Sequence, residues 1–158
     1  MAKIDNNAIC QIAIVVKDIE KVAANYAKLF DIPTPEIFII PPSDEVPVYY
    51  RGKLISSKTK LCVFNMGSIV LELTQPDEVP SAWKEYLDKH GQGVHHLGIQ
   101  VQDKEAAIQA FKEIGAEVIH VGYYPNSSYS FVDSEEQLGV RFNIKHDGED
   151  NSDKVNNY

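Results

Sequence analysis

The chain has 158 residues, 15 Lys and Arg against 23 Asp and Glu, and a formal net charge of −8. That length predicts one domain or two small packed modules, and a 44% hydrophobic share is enough for a core without disulfide or metal support. The acidic balance excludes a nucleic-acid binder, which needs excess basic charge to displace phosphate counterions, and a polybasic membrane-surface protein.

Ala8 to Val16 (AICQIAIVV) is a β-rich run without a breaker. From Asp18, the expected N-cap, the apolar spacing becomes helical, with Ile19, Val22, Ala23, Tyr26, Leu29 and Phe30 on one face. Asp31-Ile32-Pro33 ends that helix, and Glu36 to Ile40 reads as a short strand. Pro41 to Lys58 reads as a long loop, the usual form of a lid or binding segment. Lys60–Asn65 and Ile69–Thr74 form a hairpin through Met66-Gly67-Ser68. Ser81 caps a short helix through Leu87, and Gly91-Gln92-Gly93 closes it. A second strand–helix pair follows: His96 to Asp103, then Glu105 to Ile114 with Ala107, Ile108, Phe111 and Ile114 inward. Three further strands are Glu117–Val121, Tyr129–Asp133 and Val140–Lys145.

The two halves superpose at an offset of 85. Ile12 falls on Leu97, Ala13 on Gly98, Val16 on Val101, Asp18 on Asp103 and Tyr26 on Phe111. Such a repeat outranks any local reading. It predicts an α+β fold of two βαβββ modules, residues 8–75 and 94–146, joined by a connecting helix and turn over 76–93. Each module covers one sheet face with its helix, so the two pair into one curved mixed sheet with a central cleft. Residues 147–158 are polar and read as a disordered tail. Cys10 and Cys62 sit in apolar runs and serve as small hydrophobes. The opening residues lack a signal-peptide pattern and no apolar run spans a bilayer, so the expected location is the cytoplasm, with no membrane contact.

Four polar residues interrupt the strands on faces that the repeat turns inward: Gln11, its equivalent His96, Glu72 in IVLEL and Asn143 in RFNIK. Unsatisfied, each costs roughly 1–3 kcal/mol on burial. Four on one face point to a site. His95, on the alternate face by strand period, has less claim.

The stretch from Gln11 to Phe30 resembles the opening of vicinal oxygen chelate (VOC) proteins. Residues 70–103, VLELTQPDEVPSAWKEYLDKHGQGVHHLGIQVQD, are similar to methylmalonyl-CoA epimerases, and FVDSEEQLGVRFNI resembles the closing strands of the superfamily. The resemblance spans residues 8–146 and implies the glyoxalase/bleomycin resistance/dioxygenase-like fold. It places the family's metal-ligand positions at Gln11, Glu72, His96 and Asn143. The implied cofactor is a divalent ion (Co, Mn, Ni, Zn or Mg) that stabilises the enediolate formed by proton abstraction beside a carbonyl. The implied partner is a small-molecule substrate, including acyl-CoA, and the implied assembly a homodimer.

The chain departs from that pattern in two places. The epimerases carry histidine where Gln11 stands and glutamate where Asn143 stands. An amide has no useful basicity, so Glu72 is the single acid left for catalysis. In the Pro41–Lys58 segment, Tyr49, Arg51 and Lys53, with Tyr129 from the second module, are the candidate substrate-binding residues. Two readings stay open. One is a metal-dependent isomerase or lyase, epimerase-like or glyoxalase-like. The other is a metal-free module that binds or sequesters a small molecule, as resistance proteins of the superfamily do.

Overall fold

The computed structural model describes residues 1–155. Ten strands form one sheet in the order β2-β5-β6-β1-β7-β10-β9-β8-β3-β4. The first half supplies β1 (Ile9–Val15), α1 (Ile19–Phe30), β2 (Phe38–Ile40), β3 (Val48–Tyr50), β4 (Lys53–Ile55), β5 (Thr59–Met66) and β6 (Ile69–Pro76). After α2 (Ala82–His90) come β7 (Gly93–Val101), α3 (Lys104–Glu113), β8 (Glu117–Tyr124), β9 (Ser127–Asp133), the turn α4 (Glu135–Leu138) and β10 (Arg141–Asp147). A short α5 (Ser152–Val155) closes the described chain. The expected curved mixed sheet is present, and the halves meet where β1 pairs antiparallel with β7.

Side-chain alternation sorts the residues into three apolar clusters. On the convex face, α1 packs Ile19, Ala23 and Ala27 on Cys62, Phe64, Leu71 and Leu73. Its N-cap is Asp18, which accepts from the Lys21 amide. In the second half, α3 packs Ala107 and Phe111 on Ile99, Val101, Val132 and Ile144, with Asp103 as cap. The third cluster lies on the concave face, where α2 inserts Ala82 and Trp83 against Val15, Leu61, Ile119 and Phe131. Cys62 is buried and Cys10 half-buried, and neither is in a disulfide.

The Pro41–Lys58 segment differs from its reading as a loop. It carries the hairpin β3–β4, whose turn residues Arg51 and Gly52 both have positive φ (50° and 78°), the pairing a tight hairpin demands. β3 then pairs antiparallel with β8. A piece of the first half thus extends the far edge of the second, held by buried Val46 and Val48 and an edge-on contact of Tyr49 with Tyr123. The β-branched and aromatic residues VPVYY found a sheet edge to complete, which local composition does not show.

The residues after His146 also depart from the disordered reading as far as 155. Asn151, 1% exposed, donates its amide to the carbonyls of Tyr124 and Ser127, and its backbone N–H to that of Pro125. One buried asparagine that satisfies a strand turn ties down a polar segment. The remainder of that tail, 156–158, lies outside the described residues. No helix among the described residues is long and apolar enough to cross a membrane.

The dock of α2 is polar at its centre. The Ala82 carbonyl accepts from Arg141 Nη1 and from His95 Nε2, both at 3.2 Å, while the Ala82 N–H donates to His120 Nδ1 at 3.3 Å. Arg141, 1% exposed, lies 2.7 Å from Glu85, 2.9 Å from Glu135 and 3.6 Å from Asp133. Tyr50 and Arg51 of the hairpin reach the same Glu85 carboxylate. Burial would raise that carboxyl, but the bonds from Tyr50, Arg141 and Arg51 outweigh it and hold it at about 2. Removing the guanidinium strands several carboxylates at once. Arg141→Met is expected to cost about 3–5 kcal/mol in urea denaturation, and Arg141→Lys to recover only part because an ammonium cannot fork. A loss below about 1 kcal/mol would show that the cluster behaves as a surface ion pair.

Candidate functional site

The concave face builds the site from two rows of residues. In one row Glu72 of β6, Ala13 of β1, His96 of β7 and Arg141 of β10 lie side by side across the sheet. In the next row stand Gln11, Gly98 and Asn143. The offset of 85 exchanges the rows: Gln11 corresponds to His96 and Ala13 to Gly98. The small residue at the middle of the second row leaves room for the Gln11 side chain that stands next to it. A Cβ on Gly98 would sit 2.8 Å from the Gln11 Cβ and Oε1, so only glycine lets Gln11 lie across the seam.

The seam also carries two β-bulges related by the same offset. The β1–β7 register shifts at Cys10 and again at His95. The second shift explains a difference from the sequence reading. Strand period puts His95 on the face opposite His96, yet both are fully buried and their Nδ1 atoms are 2.8 Å apart. A bulge inserts one residue and turns two successive side chains inward. Sequence alternation alone therefore missed His95. It also missed His120, which joins the same aromatic cluster with Trp83 and Phe131.

Gln11 bridges the modules. Its carboxamide lies 2.7 Å from Glu72 Oε2 by the nitrogen and 3.0 Å from His96 Nε2 by the oxygen. The chain runs on through His95 to the Ala82 carbonyl. That carbonyl only accepts, so His95 Nε2 carries a proton. A neutral His95 then accepts at Nδ1 from His96 Nδ1–H, which leaves His96 Nε2 as an acceptor. It must receive the Gln11 N–H, and the Gln11 oxygen, half a turn round, must receive a proton from Glu72. The alternative keeps Glu72 ionised and Gln11 as drawn, and makes His95 an imidazolium. Burial decides between them. It lifts the Glu72 carboxyl to about 7, against opposing effects of Lys145 and Gln11. It pushes His95 down to about 3, helped by Arg141, and His96 well below the usual range. The neutral wire, with the proton on Glu72, is the resting arrangement below pH 7.

Glu72 is 8% exposed and opens onto a cavity of about 420 Å³ on the concave face. Gln11, Glu72 and Asn143 line it, and His96 stands behind Gln11. Aromatic rings of Phe38, Trp83, Tyr124, Tyr129 and Phe131 form much of the wall. Tyr129 lies over Gly122, where a Cβ would come within 2.1 Å of its ring. Of the expected substrate-binding residues, Tyr129 alone lines the cavity. Arg51 is tied to Glu85, while Tyr49 and Lys53 lie on the hairpin at the far sheet edge. Lys145, at the end of the expected last strand, also lines the cavity. Its signal was the alternation Arg141, Asn143, Lys145, three polar residues on one strand face.

A divalent ion at these positions would meet one imidazole, one carboxyl and two amides. Among the described residues no three His, Cys, Asp or Glu are placed to hold a metal. Ligation requires an ionised carboxylate, whereas burial favours the protonated form of Glu72. The positive charge of Lys145 acts on both Glu72 and His96, where it would oppose a cation. These residues do not fit the divalent ion that the family resemblance implies.

Residues 10–131 match the family model of the Glyoxalase/Bleomycin resistance protein/Dioxygenase superfamily. Among solved structures, a hypothetical protein from Bacillus halodurans is similar at 23% identity, with 92% of this chain and 97% of the other covered and a TM-score of 0.60. Methylmalonyl-CoA epimerase from Mycobacterium tuberculosis is similar at 18% identity, with 94% and 93% covered and a TM-score of 0.62. The Streptomyces coelicolor methylmalonyl-CoA epimerase in complex with 2-nitronate-propionyl-CoA is similar at 21% identity, with 91% and 96% covered and a TM-score of 0.59. At these identities the likeness is one of fold. No curated protein matches this chain.

Two expectations follow from the wire. The Glu72 carboxyl is raised in the fold from 4.5 to about 7, so its stabilising protonated form is complete below pH 4.5 and is lost as pH rises through 7. Glu72→Gln should therefore gain on the wild type between pH 5 and pH 8, by about 3 kcal/mol at most. Taking the difference between the two proteins removes the opposite slope of the buried histidines, and a flat difference in denaturation would refute the raised carboxyl. Gly98→Ala should displace Gln11 and cost about 1–3 kcal/mol, and crystallography of the variant would show whether the bridge to His96 breaks.

Proposed function

The chain belongs to the Glyoxalase/Bleomycin resistance protein/Dioxygenase superfamily, and from that premise we propose that its concave cleft takes a small carbonyl compound and that Glu72 moves the substrate's proton without a divalent ion. The observation that carries this reading is the position of Glu72: a carboxyl at the floor of an aromatic cavity, lifted to about 7 by burial and bonded behind to Gln11. A general base works best with a pKa near the working pH.

In the proposed step, ionised Glu72 takes a proton from the carbon beside the carbonyl. The C–H electrons pass into the carbonyl as an enolate, and the Glu72 O–H then gives the proton either to a second carbon conjugated with that enolate, which shifts the double bond, or to a leaving group that the enolate expels from the β carbon. Gln11 follows the charge by donating to the carboxylate and accepting from the carboxylic acid. Asn143, at the position where the epimerases carry their second acid, cannot serve as a base. The proposed reaction is accordingly a one-base isomerisation or elimination, rather than an epimerisation with a base on each face. The Streptomyces coelicolor epimerase is solved in complex with 2-nitronate-propionyl-CoA, and acyl-CoA thioesters belong to the class to be tried here.

Binding without turnover is the second reading, and the amides at Gln11 and Asn143 favour it. The test is exchange of α-protons of carbonyl compounds, acyl-CoA thioesters included, into deuterated water. Exchange is expected to rise with pH through about 7, and Glu72→Gln should reduce it by about 10²-fold or more. Exchange unchanged in Glu72→Gln would overturn the role of Glu72. Saturable binding with no exchange would establish the second reading.

A further inference from the structure

Lys145 is a charged cleft residue that the proposed step does not use. Along β10 the side chains of Arg141, Asn143 and Lys145 share the concave face. Arg141 is committed to Glu85, Glu135 and Asp133. Lys145 is half-buried and lines the cavity, and among the described residues no carboxylate lies within 4 Å of its ammonium. Asp147, two residues on, also lines the cavity and takes a hydrogen bond from Gln100 at 3.4 Å. A half-buried cation with no ion pair is costly unless something else neutralises it.

Two neighbouring groups are also incomplete. Asn143 is 4% exposed, and its Oδ1 is buried without a hydrogen-bond partner. Its carboxamide, by a half-turn, offers a cleft ligand either an acceptor or a donor. The Trp83 Nε1–H is buried without an acceptor while the residue lines the cavity. An orphaned donor and a cation call for a ligand with acceptor oxygens and negative charge. The rings of Phe38, Tyr124, Tyr129 and Phe131 call for a flat apolar body on the same ligand.

We infer that Lys145 takes over the electrostatic role that the family resemblance gives to a divalent ion, and that the cleft receives carboxylates with an aromatic or branched apolar body, their charge seated on the Lys145 ammonium beside Asn143. This rests on the reading of the cleft as a small-molecule site and specifies the ligand class. A charge-assisted hydrogen bond in a desolvated cleft is stronger than a neutral one, so a carboxylate should bind more tightly than its uncharged amide.

The test is calorimetric titration of the full chain with 3-phenylpropionate and with 3-phenylpropanamide, matched in shape and differing in charge, each with and without Mn²⁺. Wild type is expected to prefer the carboxylate by about tenfold or more. Lys145→Met should bring that ratio near one, Lys145→Arg should restore part of it, and Mn²⁺ should leave it unchanged. The ratio compares two probes on one protein, so a general loss of stability cancels. Should Lys145→Met fail to fold, Lys145→Gln takes its place. A carboxylate preference that survives loss of the ammonium, or equal binding of both probes by wild type, overturns the role of Lys145 and leaves the cleft reading standing. Stoichiometric Mn²⁺ binding that tightens the carboxylate also overturns it. If neither probe binds, the ligand class and the cleft reading fall together.

Discussion

The antiparallel seam of β1 and β7 is the constraint from which the rest of the site follows. It joins the two halves, and its register places Ala13 and Gly98 at the middle of two adjoining rows. Those two residues are small, so Gln11 can lie across the seam and meet Glu72 on one side and His96 on the other. The same seam bulges at His95 and turns a second imidazole inward. Without the bulge, His95 would face the α3 side of the sheet, and the chain of hydrogen bonds to Ala82 would be broken.

The α2 segment makes that seam into a closed floor. Its first residue, Ala82, is gripped through its N–H and its carbonyl by side chains of the concave face, His120 on the one and Arg141 and His95 on the other. Trp83 then fills the space above them, with its ring near His95, His120 and Phe131. Water is excluded from three imidazoles, and their pKa values fall for that reason before any other. The same exclusion raises the Glu72 carboxyl. The acidity of the site therefore depends on how a linker helix packs as much as on the residues that line the cavity.

Charge is segregated over the concave face. At one end, Arg141 collects Glu85 and Glu135, and Arg51 adds to the same cluster. At the other, Lys145 stands beside Asn143 with no ion pair among the described residues. The first arrangement is complete in itself and holds elements together. The second is incomplete, and incompleteness in a concave, aromatic-walled space is what a ligand site requires.

Much of this was readable from residue order. The repeat at an offset of 85 determined the two matching strand–helix pairs, the caps Asp18 and Asp103, and the inward placement of Gln11, Glu72, His96 and Asn143, because strand alternation and helix periodicity are local rules. What it did not determine are contacts between residues far apart in the chain. The hairpin β3–β4 was hidden because a strand becomes a strand only when it finds an edge, here β8. His95 faces inward against strand alternation because a bulge is a property of the pair of strands and not of either one. The effect of the Lys145 charge on Glu72 across the cleft and the protonation of Glu72 itself depend on which groups folding brings near and which waters it removes. Those are long-range electrostatic outcomes, and only the tertiary structure decides them.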